Sequence, residues 1–249
     1  MITYRTRWKR YVELWFDEPE PTHRCDVVVR HRALCRGRAG DNEDFYTLQV
    51  DLSETPDEIF SHFARNTRAQ IRKSGELDDL RFEFIDHPTT DQLREFIDFY
   101  DAFARSKGME PIPVARAEAY RVSGQFSLSR VANAYGALTW HANAAAGGYV
   151  SMMYSASHFR SGDDELRKLI GRANRRLHWE ELQYFRGQGR RYYDFGGWYA
   201  GSTDEQKLSI NRFKEEFGGK KVLEFTVTEN RSLIAKALAA LHAARTVTR

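Results

Sequence analysis

The sequence predicts an α+β or mixed α/β domain built on one sheet, and three observations predict it. The chain has 249 residues, of which 41% are hydrophobic, 13% aromatic and 29% charged. That composition suits a chain that buries a core, and the length suits one large domain or two small lobes sharing a core. Strand-like runs follow one another from Phe126 to Ser157 in the manner of antiparallel hairpins, while capped, helix-periodic segments are interleaved with strands elsewhere.

In chain order, short strands are expected at Tyr11–Phe16, at Asp26–Arg30 through three consecutive valines, and at Phe45–Leu52, with loops at Glu18–Pro21 and Gly37–Asn42. A helix is expected over Pro56–Ser74, with Thr55 as N-cap, Pro56 at its first position and Glu58 closing a capping box. Ile59, Phe60, Phe63 and Ile71 form its apolar stripe, and Gly75 is its expected stop. A strand at Arg81–Ile85 precedes a second helix, opened by Thr89 or Thr90 and closed by Gly108, with Leu93, Phe96, Ile97, Tyr100, Phe103 and Ala104 on one face. Pro111–Ser123 holds a short helix. Strands follow at Phe126–Tyr135, Ala137–Ala142 and Tyr149–Ser157, with Ala144–Gly148 as the turn between the last two. A long helix over Asp164–Arg186, a strand at Tyr192–Phe195, a helix at Lys207–Phe217, a strand at Val222–Val227 and a terminal helix at Ser232–Ala244 complete the reading.

The formal net charge is +3 and the sequence pI about 8.8, too nearly balanced to announce nucleic-acid binding, so any polyanion site is a local patch. Of 38 basic residues 29 are arginines, which favours forked recognition of phosphate or carboxylate, although high genomic GC content gives the same skew. Cys25 and Cys35 show neither a disulfide framework nor zinc spacing. The N-terminus has no apolar signal-like run and no stretch approaches a membrane span, so a cytoplasmic location without membrane insertion is expected. His141, His158 and His178 are dispersed over different elements and read as satisfied polar residues. No Ser-His-Asp order, metal spacing, Walker loop or nicotinamide fingerprint occurs, and neither a metal nor a redox cofactor is expected.

Residues 174–222 are the informative segment. A helix bearing Leu177, Trp179, Leu182 and Phe185 ends in glycines, a short strand delivers Asp194, and Gly196-Gly197 lets the backbone turn sharply or approach a ligand. Trp198 and Tyr199 then stand at the strand end, where open sheets place ligand crevices, or else form a packed corner. Upstream, Arg65, Arg68 and Arg72 recur at helical spacing, with Lys73 beside them, as a basic face that either is solvated or binds an anion.

The runs Asn174-Arg175-Arg176-Leu177-His178-Trp179-Glu180, Tyr193-Asp194-Phe195-Gly196-Gly197 and Arg212-Phe213-Lys214-Glu215-Glu216-Phe217-Gly218-Gly219 resemble, in order and spacing, the FemABX family of GNAT-type peptidyltransferases. Asn66-Thr67-Arg68-Ala69-Gln70-Ile71-Arg72-Lys73 looks like the basic helix of that family, so the resemblance covers about Phe45–Phe225. It implies a GNAT-type, mainly antiparallel sheet flanked by helices. It also implies one unit over 1–249, with 1–85 as a reduced N-terminal lobe carrying the basic helix and 86–249 as a complete GNAT-like lobe.

The activity implied is transfer of an aminoacyl group from aminoacyl-tRNA to an amine of a cell-envelope (peptidoglycan) precursor or small peptide-like metabolite. Lys214 would then stabilise the oxyanion or leaving group, unless it is a surface lysine pairing Glu215 or Asp204. Asp194 would orient Lys214 or take a proton, or cap the glycine turn. Phe213 would lie beside the transferred group; Trp198, Tyr199, Gly196, Gly197 and Tyr154 would shape the pocket; and Asn174 would sit on the long helix near the donor. Arg65, Arg68, Arg72 and Lys73 would contact tRNA or other phosphates. Coenzyme A is disfavoured because Gly162–Glu165 brings three consecutive acids where a pyrophosphate loop would lie. An acyl-CoA-dependent N-acyltransferase acting on an amino sugar or amino acid in polysaccharide biosynthesis, and a non-catalytic module binding RNA or an anionic glycan, are the alternatives. The oligomeric state is open, with a homodimer among the options.

Overall fold

A computed structural model of the chain describes residues 1–16, 18–38, 40–158 and 163–247. Its elements in chain order are β1 (Ile2–Arg5), β2 (Arg10–Trp15), β3 (Val27–Ala33), β4 (Asp41–Asp51), α1 (Pro56–Ser61), α2 (Arg65–Leu77), β5 (Arg81–Ile85), α3 (Thr90–Lys107), α4 (Val114–Ser123), β6 (Phe126–Asn133), β7 (Gly136–Ala146), β8 (Tyr149–Ser157), α5 (Asp164–Gly187), β9 (Tyr192–Gly197), α6 (Glu205–Glu215), β10 (Lys220–Asn230) and α7 (Leu233–Val247).

The chain groups as two units, Met1–Tyr46 with Leu223–Arg249, and Thr47–Val222. In the first unit β2 runs antiparallel to β1 and parallel to β3, and β3 pairs antiparallel with the returning β10. The terminal strand thus completes the sheet that the first three strands begin. Val12, Leu14 and Val28 are its core, and the buried Glu13 accepts from Tyr4 Oη at 2.8 Å and lies 2.8 Å from His31 Nε2.

In the second unit the strand order is β4-β9-β8-β7-β6-β5, antiparallel throughout except for the parallel pair β8–β9. The result is a mixed, mainly antiparallel sheet flanked by helices, the α+β architecture that the sequence predicts. α5 crosses one face over β6, β7 and β8 and carries α2 beside it, while α3 and α4 cover the other face. Strand alternation separates the two sides: Trp140 and Tyr154 meet Phe96 of α3, whereas Ser129, His141 and Asn143 turn to α5. The core under α5, α1 and α6 contains Leu48, Ile59, Phe63, Ile71, Val150, Leu182, Phe185, Phe195 and Phe217.

Several boundaries differ from expectation. The helix expected over Pro56–Ser74 is two, because Ala64 adopts an extended conformation (φ −53°, ψ 142°) and its N–H donates to the Glu216 carbonyl at 2.8 Å. The predicted capping box of Thr55 and Glu58 is present, but Gly75 lies inside α2, which runs on to Leu77. β7 continues through Ala144–Ala146, so the hairpin turn shrinks to Gly147-Gly148, and β4 starts at Asp41 inside an expected loop. β1 forms in the polar N-terminus, where Ile2 is its one buried residue. No helix among the described residues is long and apolar enough to cross a membrane.

Candidate active site at the β9 end

β8 and β9 pair only from Tyr149–Ser151 against Tyr192–Asp194, so the two parallel strands part where β9 reaches Phe195, Gly196 and Gly197. β8 carries a bulge at this level, since Ala142 pairs with Tyr154 while Asn143 pairs with Met152. Gly196 has φ +73°, and a Cβ there would lie 2.7 Å from the Met152 carbonyl oxygen. Only glycine combines that backbone with so close an approach to the bulge.

Asp194 and Lys214 are both buried at this strand end. Asp194 Oδ1 accepts the Gly196 N–H at 2.6 Å and lies 2.6 Å from the Thr47 hydroxyl, while Gln49 Nε2 donates to Oδ2 at 3.4 Å. Asp194 therefore forms the turn cap that the sequence reading offered as one of its roles. Lys214 is not a surface lysine: it is 7% exposed, and its Nζ donates to the carbonyls of Gly196 (3.2 Å) and Gly197 (2.5 Å). Asp204 instead caps α6, and Glu215 pairs with Lys221.

The remaining predicted residues are distributed around this end. Phe213 stands 5.7 Å from the His178 ring, with the Arg175 guanidinium 5.1 Å above it. Trp198 packs on the core and lies 4.2 Å below Lys221 Nζ. Tyr199 is held in its loop by Asn211, which accepts its N–H and donates to its carbonyl. Gly197 is exposed. Tyr154 lies on the α3 face, where Arg116 Nη1 donates to its hydroxyl at 3.2 Å, so it does not share the α5 face with Phe213.

The basic face predicted on one helix divides. Arg68 donates to the carbonyls of Ser61 (2.7 Å) and Phe63 (2.6 Å), closing the α1–α2 corner, and Arg72 lies over the Phe60 ring. Arg65 is exposed at the first position of α2. Lys73 turns toward α5 and, with Asn66, Arg167, Lys168, Arg172 and Arg175, lines a groove of about 520 Å³. All three arginines are braced, Arg167 by Asp164, Arg172 by both oxygens of Asp78 and Arg175 by Glu216, and Lys168 pairs with Glu165. Of the acidic stretch before α5, Gly162 falls outside the described residues; Asp163 is the N-cap and accepts the Leu166 N–H, and Asp164 and Glu165 fill the first turn.

Beneath the site lies a polar cluster that the sequence reading took as dispersed. Glu181 of α5, fully buried, accepts from Ser129 Oγ and from Asn143 Nδ2 (3.1 Å) on Oε1, and from Tyr193 Oη (2.6 Å) on Oε2. His141 Nδ1 lies 3.0 Å and His178 Nδ1 3.5 Å from Oε2, and Asn174 Oδ1 sits 3.0 Å from His141 Nε2. Asn174 is thus in the third turn of α5, committed to this cluster rather than to the helix N-terminus. Burial, reinforced by His141, lowers His178 to about 4 although Glu181 opposes the shift. Burial would raise Glu181, yet the charge and hydrogen bond of His141, with those of His178, hold it well below the usual range. The donor atoms of His141, His178 and Glu181 lie within 4.8 Å of one another, close enough to hold a metal ion. The signal available in the sequence was spacing: Asn174, His178 and Glu181 recur at i, i+4 and i+7 on the face that also carries Leu177 and Leu182.

No family model and no curated protein matches the chain. Solved structures do. FemX aligns with a TM-score of 0.59 at 15% identity over 80% of this chain, which spans 65% of the FemX chain. L-PGS from Bacillus licheniformis aligns at 0.52 and 13% identity, over 85% of this chain and 71% of its own. The C-terminal domain of a protein named as a lysylphosphatidylglycerol synthetase, from Agrobacterium fabrum, aligns at 0.50 and 11% identity, over 86% and 71%.

Proposed function

From a FemABX-like fold of the GNAT type, we propose that this chain is a transferase that moves an aminoacyl group from aminoacyl-tRNA to an amine of an envelope precursor or small peptide-like metabolite. The observation that carries the reading is Lys214, a nearly buried ammonium held by two carbonyls at the point where β8 and β9 part. In the reaction the neutral acceptor amine attacks the ester carbonyl, a C–N bond forms and the carbonyl oxygen becomes an oxyanion. The C–O bond to the ribose then breaks, and a proton lost by the amine ends on the ribose oxygen. A fixed ammonium in a site of low polarity lowers the energy of the oxyanion and of the departing alkoxide. Asp194 and Thr47 act one step back, fixing the Gly196 peptide that Lys214 grips.

The donor assignment is supported by charge. Asp163 occupies an amide of the α5 N-terminus, so a coenzyme A pyrophosphate would have to displace a carboxylate where this fold class offers backbone amides. The groove lined by Lys73, Arg167, Lys168, Arg172 and Arg175, with Asp164 among them, is basic on balance and offers a polyanion a concave surface. The test is to supply radiolabel either on a mixed pool of charged tRNA or on acyl-CoA, with envelope-precursor and small-molecule extracts as acceptors. Label leaving tRNA is expected; label leaving only acyl-CoA would replace the donor, and RNA binding without transfer from either would replace catalysis with a binding role.

A further inference from the structure

We propose that His141, His178 and Glu181, with the Tyr193 oxygen as fourth donor, form a buried site for a transition-metal dication of the Zn²⁺ type inside the second unit. Four atoms from three elements converge there: Nδ1 of His141 on β7, Nδ1 of His178 and Oε2 of Glu181 on α5, and Oη of Tyr193 on β9. Their spacings are 3.0 Å (His141 to Glu181), 3.5 Å (His178 to Glu181), 3.3 Å (His178 to Tyr193) and 2.6 Å (Tyr193 to Glu181). A tetrahedral ion with bonds of about 2.1 Å sets its ligands about 3.4 Å apart, and three of the six spacings among these donors, 3.0, 3.3 and 3.5 Å, lie near that length. Two imidazole nitrogens with two oxygens suit zinc and its neighbours rather than magnesium or calcium.

The atoms behind the donors are arranged as a supporting shell. Asn174 lies 3.0 Å from His141 Nε2 and holds the ring with Nδ1 facing Glu181 Oε2. His178 Nδ1 and Tyr193 Oη approach the same carboxylate oxygen, at 3.5 and 2.6 Å. Ser129 and Asn143 hold the other oxygen of Glu181, fixing which one turns inward. Asn143 Oδ1 and Ser127 Oγ, cross-strand neighbours on this face, are buried without hydrogen-bond partners, so the polar pocket around the donors is not fully paired by the protein itself.

Because the site is sealed, metal enters as the chain folds. The full chain expressed in zinc-supplemented medium and dialysed exhaustively is expected to hold about one equivalent of zinc by elemental analysis. Expression in cobalt medium is expected to give the visible absorption of tetrahedral cobalt, and unfolding with chelator present is expected to be irreversible until metal is restored. Glu181→Gln, which keeps shape and removes the charge, is expected to lose the ion, while His23→Ala on the surface keeps it. Folded wild-type protein with less than a tenth of an equivalent of either metal and no cobalt band would overturn the proposal, whether or not Glu181→Gln folds.

Discussion

Asp194 and Lys214 hold one residue from both of its peptide groups: Asp194 Oδ1 accepts the Gly196 N–H at 2.6 Å, and Lys214 Nζ donates to the Gly196 carbonyl at 3.2 Å. The carboxylate and the ammonium thereby lock a left-handed residue at the end of a strand whose parallel neighbour has just departed. Glycine reaches that conformation without strain, so the two contacts select one of the several conformations open to it.

Gly196→Ala tests that lock. The new Cβ would meet the Met152 carbonyl at 2.7 Å on a backbone with φ +73°, so a loss of at least about 1–3 kcal/mol is expected in urea unfolding. Gly187→Ala, where an added Cβ meets nothing within 4 Å, is expected to be neutral or stabilising.

The divided basic face gives opposite outcomes for neighbouring cations. Arg68→Ala frees the Ser61 and Phe63 carbonyls and is expected to lower stability by about 1–3 kcal/mol while leaving the salt dependence of tRNA binding unchanged. Lys73→Glu with Lys168→Glu is expected to leave the melting temperature nearly unchanged and to flatten log Kd against log salt by at least about one unit. A slope unchanged in Lys73→Glu with Lys168→Glu but flattened in Arg68→Ala, measured by filter binding, would return the binding role to the Arg68 face of α2.

An alkaline limit follows from Tyr184, whose pKa is pushed up to about 12 by burial and by its hydrogen bond to Asp86 Oδ2 at 2.7 Å. The folded chain holds this proton more tightly than the unfolded chain, whose tyrosines titrate near 10. The stabilisation is complete below pH 10 and is lost as pH rises from about 10 through 12. Tyr184→Phe is expected to be less stable than wild type at pH 9 and to close part of that gap by pH 12; a gap independent of pH would contradict the assignment.

How much was legible in the sequence depends on whether the deciding contact was local. Thr55, Thr89 and Gly108 mark helix ends through their own side chains or backbone, and all three act as predicted. The break at Ala64 was not legible, since Phe63 continues the apolar stripe and the conformation is fixed by the remote Glu216 carbonyl. In the candidate site, the motif segments placed Asp194, Gly196, Phe213 and Lys214 near one strand end, because β9 and α6 are close in sequence. The cluster on Glu181 draws on Ser129, His141 and Tyr193, which are joined only by strand register and by the passage of α5 over the sheet. The face on which Tyr154 falls, against α3, is set by strand parity and was not legible from the motif segments.

The central claim is that the Lys214 ammonium acts on the reacting ester, and single-turnover transfer from charged tRNA to the acceptor measures it most directly. Comparing wild type, Lys214→Ala and Lys214→Arg, each with the same thermal unfolding profile, the account predicts that alanine lowers the transfer rate by about 10²–10³, that arginine recovers part of it, and that tRNA affinity is unchanged in both. Wild-type transfer rates in a folded Lys214→Ala protein would contradict it.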